Sequence, residues 1–171
     1  MQQVKRLGVD IQPNSYLVEF SGNEYLLGDM VSEDYSDFSL NKASRIHHLS
    51  IYTAIARLLQ KANPPSNVDV HLAVNAPITT YKDSIQKENF KQMIENHGHT
   101  VHLMVNGKAF SFELTNVKIA FEGMGEIYAK PESYKGKNTT IVDLGGLNAT
   151  LCKFKGIQPQ ISSMIVSDLG I

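Results

Sequence analysis

A mixed α/β fold, a sheet flanked by helices, follows from three stretches of the chain. Residues 100–105 and 108–114 are apolar-rich runs joined by Asn106-Gly107, the pair that favours a type I′ turn between antiparallel strands. Ile51, Ile55, Leu58 and Ala62 recur at spacings of four, three and four, the period of an amphipathic helix. An apolar strand over residues 68–74 follows that helix closely, and this pairing is the unit of an α/β layer.

Residues 16–20 and 24–29 alternate as strands around Ser21-Gly22-Asn23. Residues 30–40 are acidic and serine-rich without a period, a surface loop. The helix beginning near Asn41 ends at Asn63-Pro64-Pro65, because proline neither donates to the helical ladder nor continues it. The strand over residues 68–74 reads as buried, and Asn75-Ala76-Pro77 closes it. A polar loop through Tyr81, Lys82 and Asp83 leads to a second helix over residues 86–96, with Phe90, Met93 and Ile94 on one face and Gly98 as its stop. After the Asn-Gly hairpin, residues 116–121 form a further strand, and a short helix begins near Glu122. Residues 130–138 are a polar loop. The hairpin of residues 139–154 follows, then a turn at Gly156 and one more strand over residues 157–166.

At 171 residues and 42% apolar content, the chain can bury one good core with a small subdomain. Sixteen basic side chains against seventeen acidic ones leave a net charge of -1, so there is no electrostatic footprint for direct nucleic-acid or anionic-membrane contact. No apolar run approaches the roughly 20 residues that span a bilayer, and the start lacks a signal-peptide core, so a cytoplasmic location is expected. Cys152 is the one cysteine, so no internal disulfide can form, and its apolar neighbours make it a small buried hydrophobe. His97, His99 and His102 cluster at a helix-to-strand junction and His47-His48 adjoin on a helix. None has the convergent partners of a metal site, and all are expected to be solvated. Phe110, Phe112 and Phe121 fall on strand positions of the core.

Residues 139–154 carry most of the chemistry. Ile141 and Val142 are β-branched, Leu151, Cys152 and Phe154 resume an apolar run, and Gly145-Gly146 lies at the tip of the hairpin between them. Two residues without Cβ can turn consecutive amides into a concavity for phosphate oxygens. Asp143, at the end of the first strand, can hold a hydrated Mg²⁺ beside it. The plainer alternative is a tight turn next to a solvated carboxylate. Asn148 either contacts a phosphate or is an exposed polar residue in an alternating strand. Glu122 is either a site acid or an acid favoured by the dipole of a following helix. The Gly-x-x-x-x-Gly-Lys-Ser/Thr pattern of P-loop enzymes is absent.

Taken in order, five pieces resemble the bacterial actin-like ATPases that segregate plasmids, the ParM/StbA group. They are Glu24-Tyr25-Leu26-Leu27-Gly28-Asp29, the helix with His47-His48 and Ala54-Ile55-Ala56, residues 68–83 with Asn75-Ala76-Pro77 and Tyr81, Val117-Lys118-Ile119-Ala120-Phe121-Glu122-Gly123, and Ile141-Val142-Asp143-Leu144-Gly145-Gly146. The resemblance implies an actin-like (ribonuclease H-like) fold with ATP and Mg²⁺ held between two lobes by two phosphate hairpins. It assigns Asp143, Gly145, Gly146 and Asn148 to the cofactor, Asp143 to the metal, and Glu122 to orienting the attacking water. If the strand ends at Phe121 and Val142 lie side by side, Glu122 and Asp143 point into one crevice, where ligands of such sheets bind. The implied whole protein self-associates into filaments and meets DNA through an adaptor protein.

Three departures accompany this resemblance. Leu7-Gly8-Val9-Asp10-Ile11-Gln12 lacks the glycine pair of a first phosphate hairpin, the base-binding segment and second lobe are missing, and Leu147, Asn148 and Thr150 replace the usual hydroxyl and acidic residues. Residues 1–171 are therefore expected to be part of the first lobe, an N-terminal actin-like domain without its opening hairpin, inactive and unable to polymerise alone. The competing reading is a nucleotide-independent module that kept an actin-like sheet. A sugar-kinase-like relative is a third, but no polar sugar-binding cluster is present.

Overall fold

A computed structural model of the chain describes residues 2–3, 10–35, 42, 44–64, 68–146 and 148–168. Leu147 and residues 4–9, on which the expectation of a missing first hairpin largely rests, lie outside these. The elements run β1 (Gln2–Gln3), β2 (Ser15–Phe20), β3 (Asn23–Gly28), α1 (Arg45–Ala62), β4 (Val68–Ala76), α2 (Ile78–Lys82), α3 (Ser84–Ile94), β5 (Val101–Val105), β6 (Lys108–Phe121), α4 (Gly125–Ala129), α5 (Pro131–Tyr134), β7 (Asn138–Leu144), β8 (Ala149–Lys155), β9 (Gln158–Pro159) and β10 (Ile165–Ser167). One sheet has the order β1-β3-β2-β5-β6-β4, the other β10-β8-β7 with β9 paired to β8. The chain divides into two compact units: Met1–Ser39 with Ala43–Leu72 and Gln92–Asn116, and Leu40–Lys42 with Ala73–Lys91 and Val117–Ile171.

In the first unit, both tight hairpins follow from residues that tolerate positive φ. Asn106 (φ 50°) and Gly107 (φ 76°) make the turn between β5 and β6 as expected, and Ser21 (φ 49°) and Gly22 (φ 74°) do the same between β2 and β3. Asn106 also ties its turn to β2, its side-chain oxygen accepting from the Leu17 amide at 2.8 Å. Helix α1 starts at Ser44, whose hydroxyl accepts from the His47 amide, and ends where Asn63 takes a left-handed conformation (φ 45°).

The buried stripe of α1 is Leu49, Tyr52, Thr53, Ile55 and Ala56, and Leu58, expected on that face, is 66% exposed. The stripe turns because Tyr52 anchors it. The Tyr52 ring is fully buried at 5.8 Å from Phe112 and 5.6 Å from Phe20, and its hydroxyl donates to the Ile94 carbonyl at 2.9 Å. A large aromatic that keeps its polar tip bonded outweighs a leucine in setting the face.

His48, expected to be solvated, packs edge-on against Tyr52 with ring centroids 4.2 Å apart, and its Nε2 is shut off from water without a hydrogen-bond partner among the described residues. Burial, and then the Arg45 guanidinium, pull its pKa from 6.5 down to about 4. The unfolded chain takes up a proton near pH 6.5 while the folded chain resists until about pH 4, so stability is full above pH 6.5 and falls as pH drops between the two. Thermal melts of wild type and His48→Phe should show this: the variant loses less Tm between pH 7 and pH 4, and equal losses would contradict the assignment. His97, His99 and His102 are exposed.

The second unit has its own core of Ile78, Phe121, Met124, Ile127, Cys152, Phe154 and Met164. Phe121 is fully buried, stacked on Phe154 at 6.0 Å and edge-on to Tyr81 at 5.0 Å. Cys152 is buried as expected.

Five local readings are corrected. β4 alternates half-buried and exposed positions instead of being buried throughout. Residues 78–82 are helical, not a loop, because burying Ile78 in the core outweighs the weak helix propensity of Thr79 and Thr80. β6 is a single strand through Thr115-Asn116, where neither glycine nor proline interrupts the pairing pattern. Residues 157–166 do not form one strand: Pro159 offers no amide, and the Ser163 hydroxyl takes the Lys153 N–H at 2.9 Å that a continuing strand would have bonded. Helix α5 also occupies part of the expected loop at residues 130–138, with Pro131 at its first turn.

Candidate functional site

In the second unit, β4 and β6 end close together, and the chain turns sharply after β6. The Glu122 amide donates to the Ala76 carbonyl at 3.3 Å, and the Met124 amide closes the turn on the Phe121 carbonyl at 3.3 Å. Gly123 sits inside this turn at φ 87°, a conformation that side chains rarely adopt. Its position matters as much as its backbone. A Cβ there would stand 3.2 Å from Ile141 Cγ2, 3.6 Å from Asp143 Cβ and 4.0 Å from Asp143 Oδ2. The segment carrying Glu122 therefore lies directly against Asp143, with glycine as the spacer.

Asp143 reaches this place through strand alternation. Ile141 and Asp143 are half-buried, Val142 and Leu144 are 55% and 59% exposed, and Ile141 packs on the core of the unit. The carboxylate thus faces inward beside Gly123 instead of standing as a solvated strand end. It pairs in register with Thr150, itself buried.

The turn after β7 is closed by the Gly145 amide, which donates to the Asn148 carbonyl at 2.8 Å. A Cβ on Gly145 would come within 3.2 Å of that carbonyl and 3.3 Å of Asn148 Oδ1, so a close backbone approach is what this position needs. The Gly145 amide is accordingly engaged within the turn and does not face an anion, as the reading of two free glycine amides requires. Gly146 is exposed and Asn148 half-buried.

Glu122 is half-buried and forms an ion pair with Lys42, whose Nζ donates to Oε1. It is not the acid of a helix start: α4 begins three residues later and carries Glu126 in its first turn. Lys42 is the residue that sequence reasoning missed. Only its place, two residues before the N-cap of α1, sets it apart in the sequence, and no periodicity points from there to Glu122.

These residues fit Mg²⁺ with a nucleotide. Among the described residues no three His, Cys, Asp or Glu side chains gather as a protein metal cage. Mg²⁺ uses one or two carboxylates and takes its other ligands from water and phosphate, which matches a lone inward Asp143 beside a glycine-spaced turn. Asp143 would hold the ion, and Gly146 and Asn148 belong to the turn next to it. A separate cavity of about 810 Å³ lies in the first unit, lined by Phe20, Leu59, Met104, Lys108 and Phe110 among others, and contains none of these residues.

No curated protein matches the chain. Among solved structures, the Alp12 filament structure is similar at 31% identity and a TM-score of 0.70, over 95% of this chain and 48% of that one. The AlfA filament bound to AMPPNP is similar at 16% identity and a TM-score of 0.70, over 98% and 59%. Apo pSK41 ParM is similar at 14% identity and a TM-score of 0.69, over 95% and 54%. The chain thus spans about half the length of the solved relatives it matches, and its fold is actin-like. The family described as actin like proteins N terminal domain matches residues 1–125, and the chain belongs to it.

Proposed function

We propose that the chain is part of an actin-like ATPase that forms filaments for plasmid partition, contributing a phosphate-binding hairpin and the acid that orients the attacking water. The observation that carries this reading is Gly123, the spacer that sets the Glu122 turn against Asp143. The similarity to an Alp12 filament at 31% identity, and to an AlfA filament bound to AMPPNP, supports self-association and an adenine-nucleotide ligand.

Phosphoryl transfer to water asks the protein for positioning and charge neutralisation more than for covalent chemistry. Bound Mg²⁺ and ATP would supply the charge neutralisation and the transferable phosphoryl group. Asp143 holds the metal on the inner face of β7, the turn at Gly145 and Gly146 fixes the approach of the backbone, and Asn148 braces that turn. Glu122 accepts a hydrogen bond from the attacking water and sets its direction. A DNA-binding adaptor as the link to the plasmid, and a cytoplasmic location, belong to the same reading. The net charge of -1 favours an adaptor over direct DNA contact.

One observation favours the alternative, a nucleotide-independent actin-fold module: the Gly145 amide is already bonded within its own turn. Calorimetric titration of the full-length parent protein with Mg²⁺·ATP and Mg²⁺·ADP, with Asp143→Ala as control, separates the two. Saturable binding that requires the metal supports the ATPase reading, and no binding at millimolar nucleotide leaves the scaffold.

A further inference from the structure

Lys42 and Glu122 are eighty residues apart in sequence, yet they meet in the second unit with side chains 34% and 24% exposed. The ion pairs Lys130–Glu126 and Lys135–Glu132 differ in kind: they are local pairs on short helices, and every side chain in them is more than half exposed. An ion pair that keeps a quarter to a third of its side-chain surface in solvent adds only modestly to stability. The Lys42 contact is better explained by what it does to Glu122.

A glutamate that directs a water molecule must stay ionised and keep one orientation, and a free glutamate side chain on a turn does neither well. An ammonium on Oε1 supports the charge and fixes the carboxylate, leaving Oε2 to accept from water. The backbone of Glu122 is already fixed by its bond to Ala76 and by Gly123 against Asp143. Lys42 supplies the restraint that the side chain still lacks.

We propose that Lys42 is a positioning residue of the candidate site, acting through Glu122 and not by binding the nucleotide. This rests on the ATPase reading above, so the test separates the failure of one from the failure of the other. The probes are Mg²⁺·ADP alone and Mg²⁺·ADP with aluminium fluoride, a mimic of the transferring phosphoryl group with its attacking water, titrated into the full-length parent protein as wild type, Lys42→Met, Lys42→Arg and Glu122→Gln.

The expected result has four parts. Wild type binds the aluminium fluoride complex at least about tenfold more tightly than ADP alone, the order of a charge-specific transition-state contact. Lys42→Met and Glu122→Gln both lose that enhancement while ADP affinity stays within about twofold, and Lys42→Arg keeps most of it. A purely structural role would lower both affinities together, and unchanged ADP binding also shows that the variants are folded.

Three results overturn the proposal: enhancement retained by Lys42→Met, ADP affinity lost along with it, or no enhancement in a wild type that binds ADP. A wild type that binds no ADP at all overturns the ATPase reading, and this proposal falls with it.

Discussion

Asp143→Ala is expected to lower Mg²⁺-dependent nucleotide affinity by about a hundredfold, at least the upper range for losing a residue that merely supports a metal ligand. The side chain faces inward while Val142 and Leu144 beside it face outward, and no three potential ligands gather among the described residues. Glu122, the acid nearby, is engaged by Lys42 instead. Asp143→Asn keeps the shape but removes the charge, so its affinity should fall between wild type and Ala. Chelating the metal should shrink the difference among all three proteins, because the contribution of Asp143 passes through the ion. Calorimetry with and without EDTA reads this directly. Equal affinity for wild type and Asp143→Ala in Mg²⁺ would remove Asp143 from the site.

Gly123→Val carries the second large effect, on stability and binding together. A β-branched residue at φ 87° is a backbone outlier, and its Cβ would press on Ile141 Cγ2 at 3.2 Å and on Asp143. Backbone strain of this kind costs about 1–3 kcal/mol. For a chain of this size each kcal/mol lowers Tm by about 2–4 °C, so the variant should melt roughly 2–12 °C below wild type. Gly125→Ala is the control. It lies two residues away, with no positive φ and, outside its own helix and chain neighbours, no atom of the described residues within 4 Å of its added Cβ, so it should leave Tm and nucleotide affinity near those of wild type. A Gly123→Val protein as stable as Gly125→Ala would mean that the turn does not press against β7.

What could be read from sequence was what local chemistry decides. Asn106-Gly107 announced its hairpin because few other residues accept positive φ at both turn positions, and the prolines after Asn63 announced the end of α1, where the structure puts Asn63 itself at positive φ. Asp143 and the glycines after it marked a turn, in which Gly145 admits the close approach of the Asn148 carbonyl, and Glu122-Gly123 marked the end of a strand.

What could not be read depended on distant partners. The orientation of α1 was settled by Tyr52 finding Phe112 and the Ile94 carbonyl, and the helix at residues 78–82 by Ile78 finding Phe121 and its neighbours. The broken tail after β8 turned on one serine hydroxyl meeting one amide. Lys42 belongs to the same class, since a lysine ahead of a helix gives no sign of an acid eighty residues on. The turn around Gly145 was located correctly, but its amide bond to Asn148 is a matter of geometry that composition does not carry.

The most direct test is where a paramagnetic metal nucleotide settles on the chain. Mn²⁺·ADP added to the isotope-labelled protein broadens the amide resonances nearest the ion. If Asp143 and the Glu122–Gly123 turn together hold the metal-bound phosphate, the signals of Glu122, Gly123, Asp143 and Gly146 disappear first, while those of Met104 and Phe110 in the first-unit cavity stay sharp. Broadening centred on that cavity, or none at saturating Mn²⁺·ADP, would contradict a site at Asp143.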